Sequence, residues 1–204
     1  MAIEKELKYS LDRASYQLLF KTFDSDSSKE EHENTYFDTP DLELREKGIG
    51  LRIRITDKKS ATLTLKCNAQ TTKRIKGYKV REEYNSELDL KTAKDIIAGK
   101  ETLSSLKNTA LDKLVEKTSP NIVGTLQAFG TLKNKRLKYR LTKELLLELD
   151  KSSVPGETFY ELEVETSHPR EVDEQIRQFL KSKEIPVNPS NLSKVGRLFK
   201  ILNN

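Results

Sequence analysis

The sequence predicts an α+β fold, an antiparallel β-barrel closed by about eight strands with helices packed on its outside. Three observations lead there. The first is an alternation of period two: Leu51, Ile53 and Ile55 oppose Arg52 and Arg54, Leu63 and Leu65 oppose Thr62, Thr64 and Lys66, Leu137, Tyr139 and Leu141 oppose Arg136, Lys138 and Arg140, and Leu145, Leu147 and Leu149 oppose Glu148 and Asp150. The second is a pair of helical stripes, Leu103, Leu106, Ala110, Leu111 and Leu114, then Val172, Ile176, Phe179 and Leu180, which need an apolar surface to cover. The third is that the charged faces carry both signs. If the stripes cover the apolar faces and the sheet closes to remove its edges, the charged faces line a tunnel suited to a polyanion and its metal. Taken one strand at a time, the same alternation also fits a half-solvated sheet with its charges in water.

The elements follow in order. A first strand spans residues 3–11, and Asp12 caps a helix reaching residue 23 with Leu19, Phe20 and Phe23 inward. Residues 24–33 are polar and read as a loop. A short strand at 34–38 ends in the Thr39-Pro40-Asp41 turn. Strands follow at 50–56, 61–67 and 79–86, the last two joined by a hairpin tip rich in Lys, Gln and Thr. Helices are expected at 92–99 and 103–117. Thr118-Ser119-Pro120-Asn121 then returns the chain to strands near 122–129, 132–141, 145–150 and 158–166. A helix at 169–183, a loop through Pro186 and Pro189 and a helix from Asn191 complete it. A helical insert between two strand groups fits one pseudo-symmetric barrel, residues 1–204 as a single domain.

Glu4, Glu6 and Lys8 share one strand face, and Glu161, Glu163 and Glu165 another. Carboxylates two residues apart on a strand repel, so a cation sits between them or they face water; a divalent-metal site is the first hypothesis. Charged residues make up 34% of the 204, against roughly 25% in typical soluble domains. Lys and Arg number 37 against 32 Asp and Glu, a surplus of +5, which suits an anionic ligand and equally a solvated basic surface. His32 and His168 are far apart and Cys67 is alone, so zinc and Cys/His nucleophile chemistry lack support and a reducing compartment is expected. No apolar run approaches the ~20 residues of a membrane span, so a cytoplasmic protein without membrane contact is the expectation.

Glu4-Lys5-Glu6-Leu7-Lys8, Tyr36-Phe37-Asp38-Thr39-Pro40, Leu51-Arg52-Ile53-Arg54, Leu63-Thr64-Leu65-Lys66, Arg81-Glu82-Glu83 and Glu161-Leu162-Glu163 follow one another in the order seen in triphosphate tunnel metalloenzymes. On that ordered set the chain resembles, over essentially its whole length, the CYTH superfamily of class IV adenylate cyclase and thiamine triphosphatase. The resemblance implies an eight-stranded antiparallel closed barrel forming a tunnel, with helices outside. It also implies that Glu4, Glu6, Glu161 and Glu163 hold Mg²⁺ or Mn²⁺ with Glu148 and Asp150 nearby, hard oxygen ligands suiting either ion. Lys8, Arg52, Arg54, Lys66, Arg81 and Arg136 would grip the phosphate chain, Arg by its bidentate fork and Lys as a compact charge. Lys194, in Leu192-Ser193-Lys194, matches a C-terminal lysine of the family, a plain surface lysine being the alternative.

One departure stands out. The family often shows Arg-x-Glu-x-Glu on its fifth strand, whereas Arg81, Glu83 and Asn85 occupy those positions here. Asn supplies no charge, which puts the base or a second metal in question. Glu83 shares the face of Arg81 and should line the tunnel, with Glu82 outside; Lys8, Glu83 and Asp150 are the candidate catalytic groups. The implied activity is metal-assisted hydrolysis of a triphosphate, with inorganic tripolyphosphate needing only the charged tunnel. An organic triphosphatase, for thiamine or nucleoside triphosphate, would add an aromatic or apolar lid. Class IV adenylate cyclase chemistry would place a ribose 3′-hydroxyl against the α-phosphate. A non-catalytic polyphosphate-binding module is the reading from another class. Carboxylates interleaved among the bases argue against nucleic-acid backbone binding. Tyr9, Tyr36 and Tyr78 are expected to face outward under the helices, stacking on an organic moiety of the substrate being the alternative. Neutralising Glu6 or Glu163 is expected to stop metal-dependent turnover at no cost to the fold, since it removes a repelling charge.

Overall fold

In a computed structural model, which describes residues 2–23, 25, 27–69, 77–143 and 145–202, the alternating strands close on themselves. β1 (Ala2–Leu11), β2 (Ser27–Asp38), β3 (Ile49–Thr56), β4 (Ser60–Asn68), β5 (Tyr78–Leu88), β6 (Gln127–Arg140), β7 (Leu146–Val154) and β8 (Glu157–Glu165) form one barrel in the order β1-β5-β4-β3-β2-β6-β7-β8. Every neighbouring pair is antiparallel. The register places Glu4 opposite Arg81, Lys8 opposite Glu163, Arg52 opposite Thr64, Lys66 opposite Glu83, and Arg136 opposite Asp150. The charged residues of the alternation therefore point into the lumen, as the closed-barrel reading expects, except Arg140, which is exposed at the end of β6 and donates to the Lys143 carbonyl.

The apolar faces are covered in two halves. Leu51, Ile53, Leu63 and Leu65 pack with Leu44 of α2 (Glu43–Glu46), Ala93 and Ile96 of α3 (Leu90–Ile97), and Leu111 and Leu114 of α4 (Thr109–Lys117). Leu7, Leu137, Leu147, Leu162 and Val164 pack with Leu19 and Phe23 of α1 (Arg13–Phe23), and Ile176 and Leu180 of α5 (Pro169–Ser182). A third cluster has a different origin. Tyr36, Leu132, Val154 and Phe159 lie on lumenal faces and meet Leu198 of α6 (Lys194–Leu202), which stops part of one end of the barrel. Among the described residues no helix is long and apolar enough to cross a membrane.

Several boundaries differ from the sequence reading, each for a local reason. Strand β2 begins at Ser27 rather than at residue 34, pairing with β6 from Ser27 opposite Tyr139 onward. Its outer face is exposed and its lumenal face holds Glu30 and His32, so neither side shows the apolar residues that mark a strand. The two strands read at 122–129 and 132–141 are a 3₁₀ turn, Ile122–Thr125, and the single strand β6. Gly130, between the two expected strands, is a close approach, where a Cβ would come within 2.9 Å of Leu202 and 3.1 Å of Leu198. The helix read at 103–117 divides into a 3₁₀ turn at Leu103–Ser105 and α4, because Asn108 caps the latter by accepting from the Leu111 N–H. The Lys, Gln and Thr tip at 70–76 lies outside the described residues. Tyr36, expected outside, lines the lumen; Tyr9 and Tyr78 pack under the helices, and the Tyr9 hydroxyl donates to Asp173 of α5 at 2.6 Å.

The Tyr36-Phe37-Asp38-Thr39-Pro40 motif acquires a structural meaning. Asp38 is 2% exposed, and its carboxylate accepts from the backbone N–H groups of Thr39, Leu44 and Arg45 at 2.8, 2.9 and 3.1 Å. It caps α2 and so fixes the chain between β2 and β3. Asp38→Ala should cost about 1–3 kcal/mol, the scale of leaving buried donors unsatisfied, read as a lower denaturant midpoint at unchanged slope.

Candidate active site

The barrel encloses a cavity of about 1090 Å³, reached by side chains from the lumenal faces and from the start of α6. Lys8, Arg52, Arg54, Lys66, Arg81, Arg136, Lys194, Glu4, Glu6, Glu83, Glu148 and Glu163 all line it. Glu82 lies outside, bonded to Lys117 of α4 at 2.7 Å. Asp150 and Glu161 are 0% exposed and sit behind this first layer of side chains.

On β1, β7 and β8, Glu4, Glu6, Glu148, Asp150, Glu161 and Glu163 each pair with a cation. Glu163 is the hub: Lys8 approaches it at 2.6 Å, Arg136 at 2.7 Å, and Lys194 donates to it as well. Burial alone would raise the Glu163 carboxyl, but the charges of Lys194, Lys8 and Arg136 outweigh it and hold it well below the usual range. Asp150 takes two bonds from Arg136, at 2.8 and 2.6 Å, and one ion pair from Lys194 at 2.7 Å. Burial opposes ionisation there too, yet Arg136 and Lys194 bring it to about 2. Glu161 is held from α6 by Lys194 at 3.2 Å and Arg197 at 3.4 Å. On the opposite side of β1, Lys66 bridges Glu4 and Glu83, the latter at 2.8 Å. Asn85 donates to Glu83 at 2.7 Å and accepts from Thr64 at 2.8 Å. Against the effect of burial, Lys66 and Asn85 hold Glu83 at about 2.

The cations of β3 and β5 behave differently. Among the described residues, no carboxylate lies within ion-pair distance of Arg52, Arg54, Lys79 or Arg81. The Arg52 Nε is buried with no hydrogen-bond partner. Burial, reinforced by Arg52 and Arg136, lowers Arg54 to about 9, and burial with Arg81 and Lys8 lowers Lys79 to about 7. Such depression measures how strongly positive this wall is. The sequence reading missed Lys79, although its alternation with Arg81 and Glu83 on one strand face was available. It also left aside Glu165, whose carboxyl is pushed up by burial and by Glu4, Glu83 and Glu6.

The donor set suits a hard divalent cation in kind. It consists of carboxylates, and Glu4 Oε2 and both Glu161 oxygens are buried without a hydrogen-bond donor. Among the described residues no three acids or histidines stand grouped to hold a metal as they are. The reason is visible in the ion pairs: Lys8, Lys66, Arg136 and Lys194 occupy the gaps between the carboxylates.

Comparison with known proteins agrees with this architecture. HpAC1 from Hippeastrum, described as a candidate adenylyl cyclase with a dominant triphosphatase activity, is 29% identical, with a TM-score of 0.85 and coverage of 98% of this chain and 95% of that one. An adenylate-cyclase-like protein from Bacillus halodurans has the same fold at 24% identity, TM-score 0.78, covering 98% and 100%. PH1819 from Pyrococcus horikoshii OT3 shares it at 17% identity, TM-score 0.61, covering 98% and 99%. A search of curated proteins returns no match. The CYTH domain profile matches residues 2–199, nearly the whole barrel and its helices, and the chain belongs to the CYTH domain family.

Proposed function

We propose that this chain is a divalent-metal-dependent triphosphatase whose preferred substrate is inorganic tripolyphosphate. The observation that carries the reading is that one cavity is lined both by a wall of cations without acid partners among the described residues, Arg52, Arg54, Lys79 and Arg81, and by a wall of carboxylates from β1, β7 and β8 that meets it where Glu4 and Glu6 stand beside Arg81 and Lys79 in the β1–β5 register. A linear polyanion complements the first wall and a divalent cation the second. Triphosphatase activity in the Hippeastrum relative supports the same reading.

Glu4, Glu6 and Glu163 would hold Mg²⁺ or Mn²⁺ from the cavity side, with Glu148 beside them and Asp150 and Glu161 behind. Bound there, such an ion would supply Lewis-acid neutralisation of the charge that develops on the phosphate chain. Lys8, Lys66, Arg136 and Lys194 now neutralise acids, and each would turn toward phosphate as the acids gain the metal. Glu83, at about 2, stays ionised at neutral pH. It therefore acts as a fixed acceptor orienting a water, with little capacity to take its proton into solution equilibrium. Discrimination then rests on phosphate contacts, and tripolyphosphate should show a higher kcat/KM than ATP. Phosphate release from tripolyphosphate, thiamine triphosphate and ATP, with each metal in turn, tests this; efficient cyclic AMP formation, or no turnover of any triphosphate, would overturn it.

An organic triphosphate is the second reading, and one feature favours it. Ile49, Leu192, Val195 and Phe199 form an apolar strip at the α6 end of the cavity, where the Arg45 guanidinium lies 4.5 Å over the Phe199 ring. A higher kcat/KM for thiamine triphosphate in the same panel would select it.

Lys79 supplies a pH signature. Its charge is lost as pH rises through about 7, so the cation wall weakens and KM for tripolyphosphate should climb above neutrality. Lys79→Arg, charged throughout, should flatten that climb between pH 7 and 9; an unchanged profile would remove Lys79 from the phosphate-binding wall.

A further inference from the structure

Arg54 is half-buried, carries no ion pair among the described residues, and yet is not free to turn. Its Nε donates to Asn34 Oδ1 at 2.9 Å, and Asn34 is 0% exposed on the lumenal face of β2, directly opposite Arg54 in register. Asn34 is held in turn through its own Nδ2, which donates to the Leu132 carbonyl at 3.5 Å. On that lumenal row the two residues flanking Asn34, Tyr36 and His32, are neutral, and the carboxylate of Glu30 beyond them is taken up by Lys138 at 2.7 Å and by His32 at 3.1 Å. Tyr36 stands opposite Arg52. His32, 4% exposed, keeps Nδ1 buried without a partner; burial with Arg54 and Arg136 lowers it to about 4, so the ring is neutral at pH 7. The contrast with other lumenal cations is sharp, because Lys8, Arg136 and Lys194 each hold at least one carboxylate.

An arginine can be fixed by a carboxylate or by a neutral acceptor, and the consequences for an anion differ. A carboxylate fixes the fork and cancels its charge. An amide oxygen fixes the fork through Nε, leaves both terminal nitrogens free of a carboxylate and leaves the full charge uncompensated in a poorly solvated site. The cost is carried by the folded state without ligand and is repaid when an anion enters.

We propose that Asn34 is a positioning residue that orients Arg54 for the phosphate chain while leaving its charge unpaired, and that its being an amide, not an acid, sets the affinity of the tunnel for polyanions. This deepens the triphosphate reading and rests on it. Asn34→Asp is nearly isosteric and places a carboxylate on Arg54. It should raise the melting temperature without ligand, weaken tripolyphosphate binding more than tenfold by calorimetry without metal, and raise KM more than it lowers kcat. Asn34→Ala removes the orientation but not the charge, so it should lower the melting temperature and weaken binding less than Asn34→Asp does.

A purely structural role predicts the opposite order, since alanine deletes a buried hydrogen bond and aspartate preserves the shape. The order of affinities, wild type above Asn34→Ala above Asn34→Asp, is therefore the decisive result. In an Arg54→Ala background, Asn34→Asp should have little further effect on binding. Tripolyphosphate binding by Asn34→Asp at or above the Asn34→Ala level would overturn the proposal and leave the triphosphate reading standing. Failure of the wild type to bind tripolyphosphate at all would overturn the triphosphate reading, and this proposal with it.

Discussion

Glu163→Gln should abolish metal-dependent turnover, a loss of about 10²–10³ or more in kcat, the scale seen when one preorganised electrostatic contact is removed. It should also destabilise the protein, which reverses the expectation from sequence. Two acids alternating on a strand suggest repulsion, so neutralising one looked harmless to the fold. The structure shows Glu163 to be an attractive centre for Lys8, Arg136 and Lys194, side chains no more than 10% exposed. Removing one partner of a buried ionic cluster leaves charge uncompensated and costs about 3–5 kcal/mol. For a chain of this size that is a fall in melting temperature of roughly 6–20 °C. The sign follows from the carboxyl being held well below its ordinary range in the folded state: its stabilisation is present at neutral pH and is lost as pH falls through that lowered value. Glu6→Gln separates the two effects. Glu6 makes only a 3.6 Å ion pair to Lys8, which keeps Glu163 at 2.6 Å when Glu6 is neutral. Turnover should vanish there with little change in melting temperature. Thermal melts of both variants with and without Mn²⁺, run beside phosphate release, decide the matter; full activity in either variant would remove that glutamate from the metal set.

What the sequence disclosed was the part governed by a strict period. Leu51 to Ile55, Leu63 to Lys66 and Leu145 to Asp150 alternate cleanly because one face meets helices and the other meets a wet lumen, so faces, closure and most lumenal charges could be read from them. The first half of β2 was illegible because both of its faces are polar: Glu30 and His32 look inward while its outer side is exposed. The continuity of β6 was missed where Gly130 sits mid-strand, as the clearance for Leu198 and Leu202. In the site, charge could be placed but compensation could not. No pattern tells that Arg136 is saturated by Glu148, Asp150 and Glu163 while Arg52 and Arg54, on an equally regular strand, have no ion-pair partner among the described residues. That distinction depends on which strands close next to each other, β6 with β7 and β8 on one side and β3 with β2 and β4 on the other. The inward reach of α6 was equally hidden. Lys194 and Arg197 lie one helical turn apart on an ordinary amphipathic segment, and only its docking against the barrel brings both to Glu161.

Arg54→Ala should cut kcat/KM for tripolyphosphate by more than about tenfold without lowering the melting temperature. The two halves of that expectation have one cause. Arg54 is half-buried near Arg52 and Arg136, and desolvation with those charges brings it down to about 9, so the folded protein gains nothing electrostatically from keeping it ionised there. Its removal loses aliphatic packing and the bond to Asn34, but it also lifts a repelling, desolvated charge. For the substrate the same removal deletes a charge-assisted contact in a poorly solvated cavity, worth on the order of 2 kcal/mol or more, which is a factor above ten in kcat/KM. Lys59→Ala is the matched control. Lys59 is exposed in the turn joining β3 to β4, on the same hairpin as Arg54, and such a position normally changes stability by no more than about 0.5 kcal/mol. Both variants remove one positive charge from one hairpin, so a general effect of net charge on anion binding would affect them alike. A specific phosphate contact affects only Arg54, and its loss should flatten the salt dependence of KM, which Lys59→Ala should leave as in the wild type. If the two variants behave alike in phosphate release, Arg54 does not meet phosphate, and the uncompensated wall of the lumen cannot be the substrate's binding surface.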